Sequence, residues 1–199
     1  GKDGILLESI IYRDGKRNGL SWVQYPGGGK AAEELYKDGL LITGLYFNKE
    51  GNPIASVQDR VGKQALFEEG RLTEIREIIE GIAEGLVVQY DEEGILTCTY
   101  HIKDDEKHGE EIEYYPPRRG KEPAPKLSLG WVQGKIQGLV KTWYPNGRQE
   151  SKREMSDNKK NGWLTAWYED GAIMMIEEYD ADALQRGEYY KKGERRPIS

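Results

Sequence analysis

Short segments of alternating apolar and polar residues recur along the whole chain, and each begins shortly after a glycine. The segment from Gly138 to Gly147 reads GLVKTWYPNG: an opening glycine, an alternating run, an aromatic pair and a turn. Such opening glycines follow one another at steps of 25, 18, 23, 24, 29, 24 and 25 residues, at Gly19, Gly44, Gly62, Gly85, Gly109, Gly138, Gly162 and Gly187. A recurring period of this length is typical of repeat proteins, so the pattern predicts tandem copies of one small unit.

Each unit contains two alternating segments separated by a turn that ends in glycine, such as Asn146-Gly147 or Asp170-Gly171. These residue types accept the positive φ angles that tight turns between antiparallel strands require. Each unit is therefore predicted to be a β-hairpin. For the whole chain we expect an all-β fold, an elongated, twisted antiparallel sheet of about eight tandem hairpins in which units contact chiefly their neighbours. The opening glycines are expected to permit close approach of a neighbouring backbone.

Two segments have a local preference for helix that conflicts with the repeat phase. Residues 30–37 (KAAEELYK) are rich in helix formers, and residues 72–82 place apolar side chains at helical spacing. We predict strands in both, because tertiary context overrides propensity in short segments.

The chain is predicted to be a single repeat array over residues 1–199, with partial half-repeats at both ends. Its fifth unit has a proline-rich loop, residues 116–125, in place of a tight turn. Because proline cannot donate to a strand ladder, this loop is expected to leave the sheet.

The composition favours a thin sheet over a thick core. Only two Phe occur, against thirteen Tyr and five Trp, side chains that bury a ring and keep a polar edge in water. The net charge of -6 gives no general attraction to nucleic acid. No apolar run of about 18 residues occurs, so we expect no transmembrane segment.

The sequence offers little catalytic chemistry. Two histidines limit the supply of general bases, and no nucleophile motif is present. The one group of potential metal ligands, Cys98, His101, Asp104, Asp105 and His108, lacks a suitable spacing, because Cys98 and His101 face opposite sides of a strand. Glu110, Glu111 and Glu113 are interpreted as a solvated stripe rather than an acid/base pair. We therefore expect no enzyme activity, no metal site and no cofactor.

The two faces of the sheet are predicted to differ. Counting from each opening glycine, even positions carry small and aliphatic residues ending in a tyrosine, as in Val140, Thr142 and Tyr144, and this face is expected to point inward. Odd positions mix large aromatic and polar residues, as interface centres do. The candidate partner-binding strip consists of Tyr114, Trp143, Trp163 and Trp167, next to a basic loop at Arg118 and Arg119.

The opening glycine, the aromatic pair, the Asn/Asp-Gly turn and the trailing tyrosine resemble the MORN-repeat variant of the bacterial YwqK family, whose members often carry an antitoxin label. The resemblance covers nearly the whole chain and brings no catalytic residues. It implies a β-hairpin array that binds another protein, so we expect a non-enzymatic scaffold with an antitoxin-like role as one version of that function.

The alternative function is binding of a glycan or single-stranded nucleic acid through the aromatic rows and basic loops. Interspersed acidic residues neutralise the basic clusters locally, so a protein is the expected partner rather than nucleic acid. Pairing of sheet ends would offer a route to oligomers. Because the chain starts within a repeat, a bacterial protein acting outside the cytoplasm is favoured over a cytoplasmic one.

Overall fold

A computed structural model describes residues 7–118, 120–194 and 196–198 of the chain. In these residues every regular element is a β-strand, and most strands that follow one another along the chain pair antiparallel, which confirms the all-β prediction. The chain forms two compact units, residues 1–95 with 102–105 and residues 96–101 with 106–199. The described residues include no helix of the length and apolar character needed to cross a membrane.

The first unit contains ten strands. Strands β4 to β10 pair in sequence order, and β1 pairs with β4. Their bounds are β1 (Glu8–Ser9), β2 (Tyr12–Arg13), β3 (Lys16–Arg17), β4 (Gly19–Gln24), β5 (Lys30–Lys37), β6 (Leu40–Phe47), β7 (Pro53–Gln58), β8 (Val61–Glu68), β9 (Arg71–Ile79) and β10 (Ile82–Tyr90).

The second unit repeats this arrangement, and most of β11 belongs to it. The long strands pair in sequence order from β13 to β20, with short β15 lying beside β14. Their bounds are β11 (Leu96–Lys103), β12 (Glu106–Lys107), β13 (Gly109–Tyr114), β14 (Pro125–Val132), β15 (Lys135–Ile136), β16 (Gly138–Trp143), β17 (Gln149–Ser156), β18 (Lys159–Trp167), β19 (Ile173–Asp180) and β20 (Ala183–Tyr189).

Both segments with a local helix preference are strands, as the repeat phase predicts. Residues 30–37 form β5, where Glu34 and Tyr36 are buried while Leu35 between them is exposed. Residues 71–79 form β9, which pairs with β8 on one side and β10 on the other. Backbone hydrogen bonds to the neighbouring strands on both sides outweigh the weak intrinsic preference of these residues for helix.

A row of two-residue turns joins strands at one edge, and both residues of each turn have positive φ. This is the backbone of the tightest antiparallel hairpins, whose twist matches that of the strands. Neighbouring turns are also linked, since the Gly39 amide donates to the Arg17 carbonyl and the Asp182 amide to the Lys160 carbonyl, each at 2.9 Å. The turns are Asp14-Gly15, Asp38-Gly39, Asp59-Arg60, Glu80-Gly81, Asp104-Asp105, Gln133-Gly134, Asp157-Asn158 and Ala181-Asp182.

The opening glycines are not equivalent. At Gly62 a Cβ would collide with the Ser56 carbonyl oxygen and lie 2.9 Å from the Val57 Cα, so the expected close backbone approach is confirmed there. At Gly138 a Cβ would meet nothing within 4 Å, so the expectation is wrong for that residue, whose φ of 84° explains the glycine instead.

In most hairpins the even positions, counted from the opening glycine, point inward, as predicted; in β8 the adjacent residues Gln64 and Ala65 are both buried. Val140 is 1% exposed and Leu164 is buried, whereas their outward neighbours Leu139 and Trp163 are about two-fifths exposed, at 39% and 40%. In the first unit the inner face carries a core of seven buried residues, Ala32, Tyr36, Leu41, Tyr46, Val57, Ala65 and Ile78.

The first unit also makes contacts between distant strands. The rings of Tyr25, which follows β4, and Phe67, in β8, pack edge to face with centroids 5.8 Å apart. Ala32 of β5 belongs to the same buried cluster as Ile78 of β9. In the first unit the packing therefore extends beyond neighbouring hairpins, which the expectation of chiefly neighbour contacts does not describe.

Candidate functional site

Tyrosine hydroxyls join successive hairpins at the edge opposite the two-residue turns. Each hydroxyl donates to a backbone carbonyl of the next hairpin. Burial raises the pKa of Tyr25 and of Tyr144, which favours the protonated form of these two donors. We call this set the tyrosine ladder. Its bonds are Tyr25 to Phe47 at 2.6 Å in the first unit, and Tyr115 to Trp143 at 2.9 Å, Tyr144 to Trp167 at 2.8 Å and Tyr168 to Tyr190 at 2.9 Å in the second.

The ladder positions two of the candidate tryptophans. The accepting carbonyls in β16 and β18 belong to Trp143 and Trp167, the residues that precede ladder tyrosines Tyr144 and Tyr168. Because neighbouring side chains on a strand point to opposite faces, an inward tyrosine places the preceding tryptophan on the outer face. The two tryptophans are thus held at equivalent positions of successive hairpins.

The four aromatic residues of the predicted strip do not touch one another. Tyr114, Trp143 and Trp167 lie on β13, β16 and β18, with one strand between Tyr114 and Trp143 and one between Trp143 and Trp167, or about 10 Å each at the usual strand spacing. Rings must be about 4.5–7 Å apart to stack, and the structure has no ring contact among these four described residues. Polar side chains of β17 such as Lys152, which pairs with Lys141 and Thr165, separate the tryptophans.

Trp163 is the exposed centre of the outer face. Its side chain is 40% exposed, whereas those of Tyr114, Trp143 and Trp167 are half-buried. The Arg186 guanidinium lies 4.7 Å from the centre of its ring, and Arg186 Nε is 2.7 Å from Glu178 Oε2. The Trp163 amide donates to Glu154 Oε2 at 3.2 Å. A planar cation on an indole face, held by a carboxylate, is an arrangement common at protein interfaces.

An exposed aliphatic residue lies in the same cross-strand row. Leu139 of β16 pairs with Glu154 of β17, whose side chain accepts from the Trp163 amide, and Leu139 is 39% exposed. Ile173 of β19 is equally exposed, but it pairs with Trp167, four residues along the strand from Trp163. We call Leu139, Trp163 and Arg186 the Trp163 patch.

The basic loop is less free than the sequence suggests. Arg118 is exposed, but its Nη2 donates to the Pro145 carbonyl at 2.9 Å and so ties the proline-rich loop to the next turn. Arg148 likewise donates to the Glu169 carbonyl at 3.1 Å. Arg119 lies outside the described residues. These arginines serve contacts between neighbouring turns rather than one basic surface.

Glu111 corrects an interpretation made from the sequence. It is buried rather than solvated, and it accepts hydrogen bonds from Lys107 Nζ at 2.8 Å and from the Trp131 indole. The Lys107 ammonium also lies over the rings of Tyr100 and Trp131. The even-position rule places Glu111 inside, two residues after Gly109, but the charge of its side chain led to the opposite interpretation.

A buried glutamate, a lysine and an aromatic ring also come together near the end of the second unit. Glu177 accepts from the hydroxyls of Tyr179 at 2.9 Å and Tyr189 at 2.8 Å, and Lys160 lies 4.3 Å from the centre of the Tyr179 ring. Buried carboxylates need such partners, because an unpaired charge inside a protein is very costly.

The first unit contains the largest of these polar clusters. Glu34 is buried and accepts from the Tyr46 hydroxyl at 2.7 Å and from Gln64 Nε2 at 2.6 Å, while Arg17 lies 3.7 Å away. Burial beside Glu34 raises the pKa of Tyr46, which keeps the hydroxyl a donor. Arg76 Nε donates to Gln64 Oε1 at 2.8 Å and continues the network across the inner face.

The potential metal ligands near Cys98 remain apart. Cys98 is buried against Glu111, with Sγ 3.7 Å from its Oε1, whereas His101 and His108 are exposed. Across the part of the chain that the structure describes, no three His, Cys, Asp or Glu side chains come together as a metal site would require.

No protein-family model matches the chain, and no curated protein matches it.

Proposed function

We propose that the chain is a non-enzymatic scaffold that binds a protein partner through the outer face of its second unit. The observation that carries this proposal is the Trp163 patch: a two-fifths exposed tryptophan with an arginine stacked on its ring and an exposed leucine, Leu139, in the same cross-strand row. Tryptophan and arginine are the residues that most often dominate binding energy at protein interfaces. The motif's resemblance to the MORN-repeat variant proteins agrees with this proposal, and an antitoxin-like role is one form that it would take.

The structure of the face supports recognition of a protein more than of a nucleic acid strand. Single-strand binding relies on aromatic rings over which successive bases stack along a positively charged groove. Here β17 separates Trp143 from Trp163 and Trp167, and the patch has Glu154 at the Trp163 amide and Glu178 beside Arg186. A mixed aromatic and charged surface of this kind suits the centre and rim of a protein interface.

The test is quantitative capture from an extract of the source organism, comparing the unchanged chain with Trp163→Ala. The matched control is Trp22→Ala, which removes an outward tryptophan from β4 of the first unit. We expect at least one protein to be captured by the unchanged chain and by the control but lost with Trp163→Ala. With that protein purified, Trp163→Ala should weaken binding by about 2 kcal/mol.

Salt dependence then separates the classes of partner. A mainly apolar protein contact should change little in affinity with salt, whereas phosphate binding should fall by about 10³ or more between 50 and 200 mM salt. The proposal is wrong if Trp163→Ala and Trp22→Ala capture the same proteins, or if the captured species is a nucleic acid with that steep dependence.

A further inference from the structure

Two lysines face each other in the middle of the outer face of the second unit. Lys141 of β16 pairs directly with Lys152 of β17, and Lys152 pairs on its other side with Thr165 of β18. Side chains that pair directly across antiparallel strands have Cβ atoms about 4.5–5.5 Å apart, and like charges at this separation destabilise a sheet. The stability of the fold therefore does not explain why both positions carry lysine. We call these two residues the lysine pair.

The positive charge of the lysine pair is not neutralised within the described part of the chain. Among the described residues, neither ammonium group has an ion pair, a hydrogen bond or a contact with an aromatic ring. Other lysines of the second unit do have carboxylate partners: Lys126 lies 3.6 Å from Glu113, and Lys135 lies 3.3 Å from Asp157. The outer face thus presents two adjacent charges that are available to a partner.

The cross-strand row that contains the pair offers it no acidic neighbour. Its one carboxylate, that of Glu188, lies three strands from Lys152, or about 14 Å at the usual strand spacing. Glu188 also accepts a hydrogen bond from the Tyr190 hydroxyl at 2.7 Å. From β13 to β20 the row consists of Ile112, Ser128, Lys141, Lys152, Thr165, Ile176 and Glu188.

Tryptophans flank the pair on the same face. Trp143 is two residues from one lysine of the pair, and Thr165, which pairs with the other lysine, stands between Trp163 and Trp167. Residues two apart on a strand share a face, so the indole rings and the ammonium groups are presented together. A partner that covers these rings also covers the two ammonium groups, and burying them without a counter-charge would weaken binding.

We propose that the lysine pair binds a carboxylate in an acidic segment of the protein partner. This inference rests on the proposed function and names the chemistry of the partner at that face. Two ammonium groups on adjacent strands can donate to both oxygens of one aspartate or glutamate side chain, and such charge-assisted hydrogen bonds are strong. A compact pair suits one carboxylate better than a nucleic acid strand, which needs a continuous positive groove. Here Glu154 and Glu178 occupy the neighbouring row.

NMR titration of the full chain at low salt tests the proposal. The probes are a peptide of alternating glutamate and serine, its counterpart of alternating glutamine and serine, and an oligothymidylate of the same length. We expect the acidic peptide to shift the backbone amide signals of Lys141, Lys152 and Thr165, and the glutamine peptide to leave them unchanged. Absence of these shifts with the acidic peptide overturns the proposal. Tighter binding of the oligothymidylate would assign the pair to a phosphate-bearing partner and would overturn it as well.

Lys152→Gln locates the site. It should weaken binding of the acidic peptide about tenfold or more, because a hydrogen bond between charged groups is lost. Lys135→Gln is the matched control: it removes the same charge from the same unit, but from a lysine that is paired with Asp157. Equal losses in the two variants would show general electrostatic attraction rather than a site, and would overturn the proposal.

Thermal unfolding of the same variants separates binding from folding. Because Lys152→Gln removes a repulsion, it should raise the thermal midpoint by about 1–5 °C while binding is lost. Lys135→Gln removes an exposed ion pair and should not raise the midpoint. Lys152→Glu places opposite charges across the two strands, so it should raise the midpoint further and abolish binding of the acidic peptide. A lower midpoint for Lys152→Gln would show that this lysine serves the fold, and would overturn the proposal.

A protein captured from the extract gives an outcome that distinguishes this inference from the proposed function. We expect Lys152→Gln to weaken its binding about tenfold, with a salt dependence far shallower than that of a nucleic acid, because the pair supplies only two charges. If Trp163→Ala loses a protein that Lys152→Gln binds unchanged, the proposed function stands and this inference is wrong. If capture does not depend on Trp163, the proposed function fails whatever the peptide titration shows.

Discussion

Gly19 and Gly62 look alike in the sequence, since each opens a repeat of the first unit, and both have positive φ, at 106° and 147°. Their surroundings differ. A Cβ at Gly19 would lie 3.6 Å from the Ile11 Cδ1, an ordinary contact with a movable side chain, whereas at Gly62 it would collide with the backbone carbonyl of Ser56. Alanine should therefore have unequal effects at the two sites.

For Gly19→Ala we expect a loss of about 1 kcal/mol, from left-handed backbone strain of about 1–2 kcal/mol less the gain from a stiffer unfolded chain. Gly62→Ala carries the same strain and must also push β7 and β8 apart, where Val57 pairs with Gly62. Overpacking adds about 1–3 kcal/mol. Since about 1 kcal/mol shifts the midpoint of a unit this size by about 4–8 °C, the two variants should differ by roughly 10 °C.

Thermal unfolding followed by circular dichroism measures this difference, and hydrogen exchange of peptides from β7 and β8 shows where it arises. We expect faster exchange in those strands for Gly62→Ala and little change there for Gly19→Ala. Equal midpoints would refute the reasoning, because they would mean that φ strain alone determines the cost and that the contact with Ser56 relaxes freely.

Two further predictions concern the second unit. Tyr144→Phe and Tyr168→Phe each remove a ladder bond and leave a carbonyl without its donor, so urea unfolding should show losses of about 1 kcal/mol each; unchanged midpoints would show that the ladder adds no stability. Burial, with the charge of Glu111 second, raises the pKa of the Cys98 thiol to about 11, so iodoacetamide should react slowly at pH 8 and faster only as the pH approaches 11. Rapid labelling at pH 8 would contradict the buried placement. Because the folded pKa lies above the unfolded value of about 9, the stability that this thiol contributes is complete below pH 9 and is lost between about pH 9 and 11. Urea denaturation at a series of pH values measures this loss.

The repeat period and alternation were enough to predict strands even where composition favours helix, as in residues 30–37, because hydrogen bonding to both neighbouring strands is a property of the whole sheet. The same alternation predicts that Val140 and Leu164 point inward. Alternation alone was not enough for Glu111, because its position predicts a buried side chain whereas its charge predicts one exposed to solvent. Only the structure shows that Lys107, four residues before Glu111, and Trp131, 20 residues after it, supply the partners that burial requires.

The candidate site was predictable only in outline. Position within the repeat indicates that Trp143, Trp163 and Trp167 share the outer face, but exposure depends on what the intervening strands place beside each ring. Trp163 is exposed, and the Arg186 guanidinium lies on its ring. Because Arg186 is in β20, two strands away from β18, a local sequence pattern does not predict this contact. In the first unit, the contact between the rings of Tyr25 and Phe67 joins strands that are not neighbours, which a model of neighbour-only packing does not contain.

The tyrosine ladder has a direction. Every donor belongs to an earlier hairpin and every acceptor to a later one, as in the bond from Tyr144 to the Trp167 carbonyl. On the ribosome, each of these four hairpins therefore emerges with a hydroxyl whose acceptor has yet to be synthesised, and that hydroxyl gains its partner only when the next hairpin folds against it. Growth of the sheet is thus coupled to the order of translation, and each new hairpin completes the one before it.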